Sequence, residues 1–461
     1  MKSIVLRVLA LAVGGALAAS LPAQAADLAD IYHRALRSDP QLREAEANKL
    51  AALEGKPQAL ALLLPQVNGT VGYVNDTLSQ TYPFVSQGQV VPLNATTKGD
   101  TTQWAVQLRQ TIFRWNQFSQ LRAADLAAAQ AEIDYRVAQE SVILRAATGY
   151  FDVLAARDTL DAAEASREAI GRQLEQSQKR YEVGLIAITD VEEAKAANDQ
   201  AIATVIASKR TLATTREKLR ELTGDSFDEL ARPGEDMPLI APTPASEDQW
   251  VRAALDQNLE LSSSRIAADI ARENVSTARG GHLPTVDLVA SRSGSNVNAN
   301  ETVFGARQSA DASINDKQIS LQVTVPIYSG GATSSRIRES VYRHRAAHER
   351  LERTARSTER TTRDAYLGVI SEISRVQALR QALESTRVAL SATEAGYEVG
   401  TRTAVDVLLA RQRLFDAQTG YARSRYNYVV NVLALEEAAG TLDESRLTRV
   451  NAWLGQSVSV K

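Results

Sequence analysis

The sequence has no cysteine, so neither disulfides nor an N-terminal lipid-bearing cysteine contributes to its stability or anchoring. Aromatic residues are scarce too. Seven Phe and four Trp in 461 residues are few for the compact cores that two or three globular domains of this total length would require. Neither charge sign dominates: the net of −3 argues against a polyanion-binding protein. Beyond the first 25 residues no stretch is apolar enough to span a bilayer as a helix. Those 25 residues read as an export signal. Lys2 and Arg7 give a positive start, Val8 to Ala19 a short apolar stretch, and Ala23-Gln24-Ala25 a small-residue cleavage site, with cleavage expected before Ala26. The apolar stretch is too short and too weakly hydrophobic for a membrane anchor. An exported chain without a spanning helix enters a membrane only as strands.

Proline is absent from 93–232 and from 327–461. These stretches are rich in Ala, Leu, Gln, Glu and Arg, which permits very long helices. Apolar residues recur at heptad spacing within them: Val137, Leu144 and Phe151; Val369, Val376, Leu383 and Leu390. The returning segments carry Val205, Leu212 and Leu219, and Leu408, Phe415, Ala422 and Val429. Such narrow stripes suit closely packed coiled-coil seams. The two stretches are copies of one design. Tyr181-Glu-Val-Gly184 recurs as Tyr397-Glu-Val-Gly400, Asp190-Val191 as Asp406-Val407, and Tyr150, Leu219 and Gly224 as Tyr366, Leu435 and Gly440. Each Tyr-Glu-Val-Gly reads as a hinge between two helices, with Gly184 and Gly400 in the left-handed conformation that ends a helix. Thr189 to Glu192 is expected to form a capping box opening the next helix, with Thr403 to Asp406 a weaker relative. The first outgoing helix, from about 114 to 180, would run about 100 Å.

Before each helical hairpin the period switches to two. Ile319, Leu321, Val323, Val325 and Ile327 face one way, and Gln318, Ser320, Gln322 and Thr324 the other. Trp104, Val106 and Leu108, then Val67, Val71 and Tyr73, and then Val286, Leu288 and Ala290 alternate with polar residues in the same manner. Polar loops are expected between the strands of each pair, at 75–101 and 294–316. About ten residues of such alternation fit a membrane strand. Four strands cannot close a barrel, whose smallest common form has about eight. An open edge in lipid would leave unpaired backbone groups at several kcal/mol each. In a membrane, therefore, several copies must share one barrel.

Over essentially its whole length from Ala26 the chain resembles the TolC family of trimeric outer-membrane channel-tunnels. The resemblance rests on Arg180-Tyr-Glu-Val-Gly-Leu-Ile-Ala-Ile-Thr-Asp-Val191, Gly281-His-Leu-Pro-Thr-Val-Asp-Leu288, Pro326-Ile-Tyr-Ser-Gly-Gly331 and Ala395-Gly-Tyr-Glu-Val-Gly-Thr-Arg-Thr-Ala-Val-Asp-Val-Leu408. Ala422-Arg-Ser-Arg-Tyr-Asn427 and Gly440-Thr-Leu442 add to it. The resemblance implies a mostly helical fold with a membrane β-barrel. Long coiled-coil hairpins form an α-helical tunnel, and each of three chains gives four strands to a twelve-stranded barrel. It organises the chain as signal peptide 1–25, first repeat 26–223 with a strand pair at about 66–112, equatorial linker 224–245, second repeat 246–440 with a strand pair at about 284–328, and equatorial tail 441–461. Implied with it are the outer membrane of a Gram-negative bacterium, most of the mass in the periplasm, and no cofactor. The implied partners are two further copies, outer-membrane lipid, a periplasmic adaptor and an inner-membrane transporter of RND, ABC or MFS type.

Matching positions assigns a closing polar network to Thr189, Asp190, Tyr397 and Arg402. The hairpin tips at Gly184, Leu185, Gly400 and Thr401 are matched to the adaptor contact. Asp406 matches the acidic ring of the entrance. The second acidic position of the best-known pattern is Leu409 here, so a trimer would carry one ring of three carboxylates there and bind multivalent cations more weakly. Glu193, at the equivalent spot of the first copy, sits on the hairpin expected to lie outside.

Other readings are weaker. His344 and His348 have the spacing of two zinc ligands, but the Glu of the metalloprotease motif is missing and Arg343 and Arg345 flank them, so a solvated helix face and no metal is expected. The Arg-rich stretch 336–363 pairs its charges four apart, as in Glu349–Arg353, Glu352–Arg356 and Glu359–Arg363, which favours a mixed-charge surface over nucleic-acid binding. No phosphate loop, dinucleotide fingerprint or nucleophile elbow is present, so no enzyme is expected. The competing function is a soluble periplasmic coiled-coil adaptor or scaffold, which would explain the export signal and hairpins but not the strands.

Overall fold

A computed structural model describes residues 25–86, 88–303 and 306–460; the signal-peptide reading of 1–25 falls almost wholly outside the described residues. In chain order the elements are α1 (Leu28–Ser38), α2 (Pro40–Leu53), α3 (Gly55–Ala61), β1 (Gln66–Ser86), β2 (Gln89–Phe113), α4 (Trp115–Glu182) and α5 (Ile188–Thr223). Then follow β3 (Glu229–Pro233), α6 (Glu247–Gln257), α7 (Leu259–Arg279), a turn of 3-10 helix, β4 (Thr285–Val303), β5 (Ala306–Thr324), α8 (Ala332–Glu398), α9 (Ala404–Ala438), α10 (Glu444–Asn451) and β6 (Leu454–Ser459). Two compact units result. Among the described residues one takes in 25–46, 134–261 and 354–460, the other Ala47–Ile133 and Ser262–Arg353. Each therefore draws on both sequence repeats.

The first unit is mostly helical and holds the larger part of the two long helices, whose starts belong to the second unit. Helices α4 and α8 run for 68 and 67 residues, about 100 Å each, because nothing in their sequences removes an amide donor. Their partners are α5 and α9, and the seam between α8 and α9 differs in bulk across the pair. Val369, Val376, Leu383, Leu390 and Tyr397 of α8 are buried at sevenfold spacing, while α9 buries Ala410, Ala417 and Ser424. Small residues facing large ones allow the close approach of a coiled coil. This corrects one expected stripe: Leu408, Phe415 and Ala422 are only half-buried, as are Val137 and Leu144. Leu408 and Phe415 point away from their hairpin seam, into a groove of about 520 Å³ shared with Ile170 of α4 and Gln200 of α5.

At mid-unit, α1 presents Leu28, Ile31, Tyr32 and Ala35 to the core, the spacing of one helical face. They join Val142, Tyr150, Leu154, Leu433 and Leu447. The buried Tyr150 hydroxyl donates to the carbonyls of Ala231 and Ala26. Strands β3 and β6 pair antiparallel, and Ala26 bridges Leu230.

Burial pushes the Glu140 carboxyl of α4 up to about 7, Arg136 opposing and the charge of Glu437 adding; Glu437 is itself raised by burial and by Glu260. A carboxyl raised in the folded state favours folding most below its unfolded value near 4.3 and loses that contribution as pH climbs toward 7. Glu140→Gln is therefore expected to match the parent at pH ~4.5 and to exceed its stability by ~1–2 kcal/mol at pH ~8, after allowance for partial solvation. Thermal unfolding at the two pH values checks this.

The second unit is a four-stranded antiparallel sheet in the order β1-β2-β4-β5, with helical segments at its base. The expected loops at 75–101 and 294–316 are not loops. β1 and β2 stay paired from Gln66↔Arg109 to Ser86↔Gln89, and β4 and β5 from Thr285↔Thr324 to Val303↔Ala306. Polar composition misleads there because the ladder is made by backbone groups, and Thr, Ser and Asn side chains pair across it, as in Thr81–Asn94 at 2.8 Å and Ser313–Asn296 at 2.9 Å. At the sheet's base, Asp287 accepts from Arg114 at 2.8 Å and Thr111 at 3.2 Å, pinning the start of α4 to β4.

Candidate functional site at the helical hairpin turns

Both turns of the helical unit end their outgoing helix in the same way. Gly184 has φ 73° and Gly400 φ 78°. In the first turn Leu185 N–H reaches Arg180 O at 2.9 Å and Gly184 N–H reaches Tyr181 O at 2.8 Å; in the second, Thr401 N–H reaches Gly396 O at 2.8 Å and Gly400 N–H reaches Tyr397 O at 3.2 Å. This is the paired 6→1 and 5→2 closure that a left-handed glycine permits.

The copies diverge in what surrounds that frame. Helix α5 is capped by Ala187, with no side-chain cap bond. Helix α9 is capped by Thr403 in a complete capping box: the Asp406 Oδ2 accepts from Thr403 N–H at 2.9 Å and from its hydroxyl at 3.0 Å, and Asp406 N–H donates to Thr403 Oγ1 at 3.2 Å. The expected assignment is thus inverted. Thr189 lies inside α5, two positions too late to cap, and the box belongs to the second copy. Ala187 already holds φ −80°, ψ 156°, close to the −91° and 162° of Thr403, and Asp190 waits three residues on. Ala187→Thr is expected to stabilise the start of α5 by ~0.5–1 kcal/mol, read as slower amide exchange over its first turn.

Tyr397 is 6% exposed. The guanidinium of Arg180, from the other hairpin, lies 4.6 Å from the centre of its ring, a cation–π contact. The Tyr397 hydroxyl is buried with no hydrogen-bond partner among the described residues; leaving it so costs ~1–3 kcal/mol. Arg402 is exposed, its N–H on the Gly396 carbonyl at 3.1 Å. A Cβ on Gly396 would stand 2.8 Å from Arg402 Cγ, so glycine there lets the arginine stem lie along the last turn of α8. Within one chain, then, Thr189, Asp190, Tyr397 and Arg402 sit on the two turns without bonding one another. Asp406 has its carboxyl held below the usual range by the Thr403 N–H and hydroxyl, with Arg402 adding, so it stays ionised. Leu409 beside it is exposed. At the tips Gly184, Leu185 (73% exposed), Gly400 and Thr401 face solvent, together with Val183 and Val399.

Arg180 was not singled out by sequence reasoning, although a signal for it exists. Where the first copy has Arg180, Leu185, Ile186 and Ala187, the second has Gly396, Thr401, Arg402 and Thr403. The repeat breaks its own symmetry at these positions, which surround the shared Tyr397, Gly400 and Asp406.

Comparison with known proteins agrees with this architecture. The family model for outer membrane efflux protein matches residues 31–225 and 250–441. The chain is 37% identical over 431 residues to outer membrane protein TolC of Vibrio cholerae, covering 93% of this chain and 94% of that protein. It is 36% identical over 440 residues to TolC of Escherichia coli K12 (95% and 86%). It is 28% identical over 435 residues to the alkaline protease secretion protein AprF of Pseudomonas aeruginosa (92% and 86%). Among solved structures, the Campylobacter jejuni CmeC outer membrane channel shares the fold at a TM-score of 0.72 and 17% identity, over 92% of this chain and 89% of that one.

Proposed function

Because the chain belongs to the outer membrane efflux protein family, we propose that its two hairpin turns form the gated inner end of an outer-membrane exit duct. The protein resides in the outer membrane with a large periplasmic tunnel, and serves efflux and type I secretion. The soluble-adaptor alternative is not supported, since full-length relatives are outer-membrane proteins. One observation carries the duct reading: the sheet is open. Among the described residues β1 and β5 each pair on one side only, while the face bearing Val71 (84% exposed) and Ile319 (80% exposed) is apolar. Lipid tolerates neither a free edge nor a four-stranded barrel. Three copies, β5 of each beside β1 of the next, give twelve strands and no edge.

Such channels work in tripartite systems with an adaptor and an inner-membrane transporter. In our reading the adaptor meets the tips at Gly184, Leu185, Gly400 and Thr401, and the transporter is of RND, ABC or MFS type. The gate uses the unsatisfied groups of the turns. In the closed ring the buried Tyr397 hydroxyl donates to Asp190, and Arg402 bridges the carboxylate of Asp190 and the hydroxyl of Thr189, a geometry its planar fork of donors suits. Asp406 contributes one ring of three carboxylates. Each link is worth ~1–3 kcal/mol, enough to bias a gate with two packings. In planar bilayers the purified protein is expected to form discrete channels, with Arg402→Ser and Tyr397→Phe each raising single-channel conductance severalfold. No channels at all would sink the duct; channels with unchanged conductance in both variants would sink the gate.

A further inference from the structure

The outward face of the sheet is ordered in ranks across the four strands. Val67, Leu108, Ala290 and Ile319 form one rank; Gly69, Val106, Arg292 and Lys317 the next; Val71, Trp104, Gly294 and Asn315 the one beyond, followed by Tyr73, Thr102, Asn296 and Ser313. Three of these ranks are apolar or neutral. The second places two cations directly opposite each other on adjacent strands, both exposed. Like charges so placed repel, and cations on the lipid face of a barrel strand cost more the deeper they lie. Among the described residues no carboxylate occupies that rank or the two ranks on either side, so the chain supplies no counter-charge.

Their height makes sense of this. The apolar run on the last strand begins at Ile327, just past β5, and reaches Ile319. From Ile327 to Lys317 is about 33 Å along an extended chain, or ~25 Å upright at the usual barrel tilt, which is the height of a barrel's apolar band. Lys317 and Arg292 therefore stand at the outer rim of the band, away from the helical base. Trp104 stands one rank beyond them, where an interfacial aromatic belongs. Its indole lies across Gly294, where a Cβ would fall 2.4 Å from Nε1, and Gly294 is the next outward position after Arg292. The Nε1 edge of the indole therefore covers β4 at the position next to Arg292 on the same face.

We propose that Arg292, Lys317 and Trp104 form a site on the barrel's outer surface for the phosphorylated headgroup of an outer-leaflet glycolipid. The phosphate supplies the missing counter-charge to both cations. Arg292 offers a planar donor fork and Lys317 a point charge, while the acyl chains lie against Leu108, Ala290 and Ile319 one rank below. The inference rests on the outer-membrane reading, and its test separates the two.

Trimers purified in detergent are titrated with diphosphoryl lipid A, with the same glycolipid lacking phosphates, and with inorganic phosphate, bound lipid being read by native mass spectrometry. The wild type is expected to hold the diphosphoryl lipid at least ~10-fold more tightly than the dephosphorylated one, and Arg292→Gln/Lys317→Gln is expected to lose that preference. Lys317→Arg should keep it. Arg109→Gln, an exposed cation on the opposite face of the sheet, should also leave it intact. Equal retention by wild type and double variant overturns the site, as does displacement of the lipid by an equimolar amount of inorganic phosphate. The same preparations are tested in planar bilayers. Channels without lipid preference sink this inference alone, whereas failure to insert sinks the outer-membrane reading and the site with it.

Discussion

Gly440→Ala is expected to destabilise the helical unit by at least ~3 kcal/mol, the range reached when strain and overpacking combine. Gly440 closes α9 at φ 71°, where a side chain costs ~1–2 kcal/mol for the left-handed backbone alone. Space is the larger problem. A Cβ there would lie 2.5 Å from the carbonyl oxygen of Gln257, 2.6 Å from its carbon and 2.8 Å from Asn258 Cα. All three are backbone atoms at the junction of α6 and α7, with no flexible side chain to yield. Gly224, at the matching position of the first copy, has φ 77° but only the Ser38 side chain near it, at 3.5 Å. Gly224→Ala should therefore show the conformational cost and little more. Thermal melts followed by helical circular dichroism should rank Gly440→Ala well below Gly224→Ala; equal losses would mean that the α6–α7 junction moves freely.

The second large effect is expected at Arg145. Asp39 is 2% exposed and sits between α1 and α2, where it accepts from Gln41 N–H at 3.1 Å and from Arg145 of α4. A buried ion pair adds little net stability, because desolvation offsets attraction, but removing one partner leaves a buried charge alone at ~3–5 kcal/mol. Arg145→Met should cost that much. Asp39→Asn in the same chain should restore most of it, since the amide carries no charge and its oxygen can still accept from Gln41. Chemical unfolding of the parent, the single variants and the double variant gives the coupling directly. A double variant no more stable than Arg145→Met would show that the arginine acts through packing.

Particular residues show how far the sequence could be read. The stripe Val369, Val376, Leu383 and Leu390 was visible as a heptad and is buried as one. Gly184 and Gly400 were legible as left-handed helix ends, since few other residues take that conformation cheaply. The alternation of Ile319, Leu321 and Val323 correctly marked one face of a strand. The capping of α5 and α9 is not legible from the Thr residues alone, because Thr189 and Thr403 differ by two positions in the repeat and a cap depends on which residue stands just before the first turn. The strands extend further than the sequence shows, because Thr, Ser and Asn runs look like loops unless the partner strand is known.

The sequence by itself determined the helices, the faces of the strands and the two turns, and led to the expectation of several copies sharing one barrel. Each of these follows from backbone geometry over a few neighbouring residues, or from the fixed hydrogen-bonding needs of a strand edge in lipid. Only the tertiary structure decided that Arg180 covers Tyr397, that Gly440 meets Gln257, and that Arg292 stands opposite Lys317. Those pairings join residues 25 to 217 positions apart, and helix packing and strand register, which are set cooperatively by the whole fold, are what bring them together.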